Sequence, residues 1–149
     1  MGLLELDNEV FAGFAFYAAL CLLKMMAMSL LTVRNRISKD VYANPEDLKL
    51  SEKKDLKTNL NDPDVERVRR NHLNDIENII PFVLAGVLYV LIKPNPWVAL
   101  MHFRTFAFAR FAHTVVYQFA APPPSRSLCF LIGYFTTISM AIQVVMATF

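Results

Sequence analysis

The sequence predicts an all-α membrane protein: one domain over residues 1–149, built as a bundle of four transmembrane helices. Three observations carry this. The chain is 55% hydrophobic with a mean hydropathy of +0.36, whereas soluble domains are typically ~45–50% apolar. It contains apolar runs close to or beyond the ~20 residues that cross a bilayer as a helix. Its Lys and Arg residues also gather in one segment, between the first and second runs. The net charge of +2 excludes a nucleic-acid footprint, and Arg67, Arg69 and Arg70 sit among acids without interleaved aromatics.

The first span covers about 10–33 and is interrupted only by Lys24. It is too long for a signal-peptide core and follows Glu5, Asp7 and Glu9 instead of a basic region, so it reads as a retained helix. The second span is about 76–92, and its helix is expected to begin earlier, near Asp64, with Asp62 or Asp64 as the cap. The third is about 96–121 and carries His102, Arg104, Arg110 and His113. The fourth is about 127–148 and has no charge.

The segment 34–75 holds most of the basic residues, Lys53, Lys54 and Lys57 among them, and the chain before the first span holds none. The positive-inside rule therefore places this loop in the cytosol and both termini on the other side. Asn44-Pro45-Glu46-Asp47 and Asn61-Asp62-Pro63-Asp64 read as turns, because Asn and Asp before Pro avoid the helical region. Lys93-Pro94-Asn95-Pro96 is a tight link, and three successive prolines, Pro122 to Pro124, make the last link stiff.

Polar groups inside apolar helices are expensive and usually mark function. Arg67, Arg70, Asn74 and Glu77 recur at spacings of three and four, so they share a helix face. Arg110, His113 and Tyr117 repeat that arrangement on the third span. Together they predict a buried pocket suited to anions. Each stripe also has a bland reading: an interfacial ion-pair ladder for Arg70–Glu77, a structural cross-helix pair for Arg110 and His113. Arg104 either snorkels or pairs with Glu77, and Lys24 fits a proton relay, although the repeats and broken helices of transporters are missing. His72, His102 and His113 lack metal-ligand spacing, so no metal is expected. Cys21 and Cys129 fall within spans, where thiols are inert. Arg126-Ser127 opens the fourth helix after the prolines. A helix start with a guanidinium beside it attracts anions and would hold a bound thiol as thiolate; anchoring of Arg126 at the headgroups is the alternative.

Several segments also resemble a known family. They are DNEVF (7–11), LLKMMAMS (22–29), ANPED (43–47), DPDVERVRRNHLNDIENIIPF (62–82), ARFAHTVVY (109–117) and SRSL (125–128). Together they resemble the microsomal glutathione transferases of the MAPEG superfamily, type 1 branch, and the likeness covers nearly the whole chain. The prostaglandin E synthase branch is the next nearest. Leu73 and Phe130 stand where that branch has Arg and Tyr. Leu48 stands where mammalian type 1 enzymes carry a cysteine.

The resemblance implies a homotrimer of four-helix bundles that holds glutathione between subunits near the cytosolic face. By similarity Arg36, Arg70, Asn74, Glu77, Arg110, His113, Tyr117, Arg126 and Ser127 line that site, with Arg126 stabilising the thiolate and Asp47 assisting proton movement. Glutathione is then the co-substrate, with no metal. The reaction joins its thiolate to lipophilic electrophiles that enter from membrane lipid, with reduction of lipid hydroperoxides as a second activity. The rival readings are a prostaglandin E synthase-like isomerase and a non-catalytic membrane protein of the same fold. The implied location is the endoplasmic reticulum membrane, with the mitochondrial outer membrane as a second site.

Overall fold

The computed structural model describes residues 2–53 and 55–149; Lys54, counted in the basic loop, lies outside the described residues. Four long helices follow one another: α1 Glu9–Lys39, α2 Pro63–Leu91, α3 Pro96–Gln118 and α4 Ser125–Thr148, with one 3-10 helix, Pro45–Leu50, in the first loop. Each of the four expected spans coincides with a helix over most of its length. α1 runs past its apolar stretch, α2 begins well before its own, and α3 stops at Gln118 instead of 121.

The helix ends follow from local chemistry. The side chain of Asn8 accepts hydrogen bonds from the N–H groups of Val10 and Phe11 at 3.0 and 3.1 Å. α1 ends at Asp40, which adopts a left-handed conformation (φ 54°). There Val41 N–H donates to the Arg36 carbonyl and Asp40 N–H to that of Ile37, the paired bonds that satisfy orphaned carbonyls. Asp62 caps α2 by accepting from Asp64 and Val65 N–H, both at 3.0 Å, and Pro63 occupies the first turn, where no N–H is needed. Asn95 caps α3 through Val98 N–H at 3.2 Å. Lys39 bonds both Asp62 and Asp64, which ties the end of α1 to the start of α2.

α1 and α4 do not touch; each packs against α2 and α3, which meet at the centre. The core is a layer of aromatic rings. Phe82 of α2 stacks on Phe106 of α3 with centroids 3.8 Å apart and planes 3° from parallel, and Phe14 of α1 meets Phe103 at 5.5 Å. Gly86 lets α1 approach this closely, because a Cβ there would collide with the Phe14 ring. In lipid, such contacts stabilise by close packing rather than by expelling water.

The outer faces are apolar. Phe16, Leu23, Leu30, Leu84, Leu128, Phe135, Val145 and Met146 are all exposed. Three helices, α1, α2 and α4, are long and apolar enough to cross a membrane by length and composition. α3 has the length, at 23 residues, and carries His102, Arg104, Arg110 and His113 along it. Arg110 and His113 belong to the site.

Candidate functional site

Three helices contribute charge to one point in the core. Asp75 of α2 takes Arg110 of α3 on Oδ1 at 2.6 Å and Lys24 of α1 on Oδ2. Asp75 and Arg110 are 0% exposed, and Lys24 is 8% exposed. The same Arg110 Nη2 donates to Asn74 Oδ1 at 2.9 Å and lies 3.4 Å from His113 Nδ1. Arg110 Nε and Nη1 and both side-chain polar atoms of the buried Asn71 have no hydrogen-bond partner within the described residues.

Directly beside this cluster lies a cavity of about 260 Å³, lined by Asn74, His113, Tyr117, Arg126, Ser127 and Phe130. α2, α3 and α4 each supply part of it. Arg126, in the first turn of α4, lies over the Tyr117 ring at 5.0 Å, an attraction between cation and π face that also fixes the guanidinium. His113 and Tyr117 sit one helical turn apart with ring centroids 5.4 Å from each other. The wall therefore offers a guanidinium, an imidazole, a phenol, a hydroxyl and an amide, with the Arg110 guanidinium one hydrogen bond behind. That set suits an anionic, polar ligand; Phe130 adds the apolar side.

Five of the residues singled out from the sequence thus meet in one cavity: Asn74, His113, Tyr117, Arg126 and Ser127. Arg110 lies beneath them and orients two. The other four sit elsewhere in the chain. Arg36 donates from Nη1 to the Val41 carbonyl at 3.4 Å, and Arg70 is exposed. Asp47 accepts from Asn44 Nδ2 at 3.0 Å within the 3-10 helix. Glu77 is exposed and borders a separate cavity of about 190 Å³ with Asn78, Pro81, Tyr134, Thr137, Ile138 and Ala141.

The pairing of Glu77 with Arg104, one of the two readings of Arg104, needs correction. Arg110's carboxylate is Asp75, Arg104 bonds the Tyr17 hydroxyl at 3.2 Å, and Glu77 has no ion pair among the described residues. The reason is helical geometry. Successive residues turn by about 100°, so Asp75 and Glu77 face nearly opposite ways. The two polar stripes expected to form one pocket also meet only at Asn74, because Arg67 pairs within its own turn, with Asp64 at 2.8 Å, and Arg70 and Glu77 are exposed.

The sequence reading passed over Asp75 and Asn71 and gave Lys24 no role in the pocket. A signal existed for each. Asn71, Asp75 and Asn78 form a second stripe at spacings of four and three. A lone lysine in an apolar helix calls for a buried carboxylate partner.

Outside the helices, the Val65 N–H holds the Asp62 carboxyl below its ordinary range against the opposing effect of desolvation, with Lys39 adding to it. Lys53 holds Asp40 low in the same way, across an ion pair of 2.7 Å. Among the described residues, no three His, Cys, Asp or Glu side chains gather as a metal-binding group.

The MAPEG family model matches residues 14–146. The chain is 50% identical over 141 residues to human microsomal glutathione S-transferase 1, covering 91% of this chain and 89% of that one. The mouse protein of that name is 49% identical over the same length. Bovine prostaglandin E synthase is 40% identical over 144 residues, covering 97% of this chain and 93% of its own. With its four-helix bundle and a family match over most of its length, the chain belongs to the MAPEG family.

Proposed function

We propose that this protein is a membrane-bound glutathione transferase. The observation that carries the reading is the convergence of Asn74, His113, Tyr117, Arg126 and Ser127 on one cavity. Glutathione presents two carboxylates, one ammonium and one thiol. Guanidinium groups match carboxylates and stabilise a thiolate. Arg126 faces the cavity from the first turn of α4, where the helix dipole adds to its charge. In this reading the bound thiol loses its proton to solvent, with Asp47 assisting, and the thiolate sulfur attacks the electrophile. With a halogenated nitroarene, a carbon–sulfur bond forms and the carbon–halide bond breaks, releasing halide.

The remaining residues assigned by family likeness fit a site completed by a second copy. Arg36, Arg70 and Glu77 lie away from the cavity within one chain, and Arg70 and Glu77 are exposed on α2. Arg104, in the middle of α3, is exposed too. Charged groups facing hydrocarbon are costly, so these faces favour a neighbouring subunit in a homotrimer. The carboxylate of Glu77 then receives the ligand's ammonium or an arginine of the neighbour. α1 to α4 are taken as four crossings of a single domain, with the loop 40–62 and the site at the cytosolic side. The endoplasmic reticulum membrane is the proposed location, shared with the mitochondrial outer membrane. Apolar electrophiles and lipid hydroperoxides reach the site from the bilayer.

The test is purified protein incubated with glutathione and a chloronitrobenzene, run beside prostaglandin H2. Conjugate formation at rates well above the uncatalysed reaction supports the transferase. Isomerisation of prostaglandin H2 without conjugation points to the synthase branch, and neither activity points to a non-catalytic protein.

A further inference from the structure

The charges of the buried cluster do not sum to zero. Lys24 and Arg110 both bear on Asp75, which carries a single negative charge. Glu77, the next carboxylate on α2, is exposed and faces away. The other ionisable groups near the cluster are His113 and Arg126, on α3 and α4, and Cys21, one turn before Lys24 on α1. None of these is an anion that could balance it. Arg110 Nε and Nη1 and the Asn71 amide, all buried, have no partner among the described residues. One positive charge is therefore left over in the low-dielectric interior, one hydrogen bond behind the Asn74 and His113 wall of the cavity.

A buried, uncompensated cation is costly, so it calls for a counter-charge nearby. Asp75 ties Arg110 in place but cannot neutralise both cations. We propose that Lys24 is a positioning residue that loads the site electrostatically, so that the missing negative charge is supplied by the ligand's thiol when it ionises in the cavity. This rests on the reading of the cavity as a glutathione site. Lys24 never touches the ligand. It acts through Asp75, by leaving Arg110 less than fully neutralised toward Asn74 and His113. A unit charge acting over roughly 10 Å at an effective dielectric of about 20 changes an ionisation equilibrium on the order of tenfold.

Lys24→Met separates this from a packing role. It keeps a long unbranched side chain and leaves Asp75 and Arg110 as a neutral pair, so no unpaired charge is created. Lys24→Arg keeps the charge. Full-length protein in lipid nanodiscs would be titrated with glutathione and with S-methylglutathione, whose thioether cannot ionise, and the bound thiol followed by ultraviolet absorbance across pH. In Lys24→Met the thiol titration should move up by about one pH unit, a tenfold loss of thiolate below the midpoint. S-methylglutathione should bind as in wild type, and Lys24→Arg should titrate like wild type. An unshifted titration in Lys24→Met overturns the proposal. So does an equal loss of affinity for both ligands, which would place the effect on the carboxylates, or an equal defect in Lys24→Met and Lys24→Arg, which would mean packing. Failure of the wild type to bind either ligand would instead refute the glutathione reading itself.

Discussion

Asp75 and Glu77 are two residues apart, yet one is the buried hub of three helices and the other faces outward. Asp75→Ala leaves Lys24 and Arg110 as neighbouring buried cations with no anion. Breaking a buried pair in this way costs about 3–5 kcal/mol, and the loss should appear as a much lower unfolding temperature in detergent. Glu77→Gln, by contrast, should leave the stability of the bundle near wild type, because Glu77 has no ion pair among the described residues. The thiols make a different prediction. Cys21 is 0% exposed and Cys129 is half-buried, and Leu48 occupies the loop position after ANPED. Thiolates are disfavoured in apolar surroundings. Brief N-ethylmaleimide treatment should therefore leave conjugating activity unchanged; strong activation with label on either cysteine would contradict this. At this scale the polar residue types were readable in the sequence but their partners were not. Two stripes on α2, one starting at Arg70 and one at Asn71, are offset by a single residue, and only the packing of α1 and α3 decides which turns inward.

Among the elements, closeness of approach and chain reversal set the stability. Gly86 faces the Phe14 ring with no room for a Cβ. Gly86→Ala should destabilise the bundle by about 1–3 kcal/mol through overpacking, read as a lower melting temperature. Ala120 ends the α3 turn with φ 51°, a left-handed conformation that costs a residue bearing a Cβ. Ala120→Gly should raise stability by about 1 kcal/mol. The α2 cap has a pH signature. Asp62's carboxyl is depressed in the folded protein, so its stabilisation is fully present above the ordinary carboxylate range near 3.9 and is lost as pH falls through the depressed value. Asp62→Asn, which keeps capping capacity, should flatten the acid limb of the stability curve, measured by thermal unfolding from neutral pH downward. The helices themselves were legible because apolar runs, Asn and Asp caps, and prolines at first turns all act locally. The extensions of α1 to Lys39 and α2 back to Pro63 were less so, since hydropathy marks the membrane and not the end of a helix.

For the molecule as a whole, apolar outer faces, a charged centre and exposed Arg70, Glu77 and Arg104 fit the proposed trimer, with lipid on some sides of each bundle and a neighbouring subunit on others. Native mass spectrometry from mild detergent should give a trimer, and a fully active monomer would remove the shared-site account of Arg36, Arg70 and Glu77. The fold class was legible from composition and span length. The site was half legible: the stripe on α3 and the start of α4 were found, but the counter-ion that holds Arg110 was not, because burial belongs to the packed bundle. The central claim is that Arg126 holds glutathione as a thiolate in the cavity of Asn74, His113, Tyr117 and Ser127. It is tested most directly by ultraviolet titration of the bound thiol in wild type and Arg126→Ala. In the wild type, thiolate should already form at neutral pH, well below the ordinary thiol value of about 8.5. In Arg126→Ala the titration should return toward that value, with conjugation falling at least tenfold while the helical content stays unchanged. An identical titration in the two proteins would contradict the account.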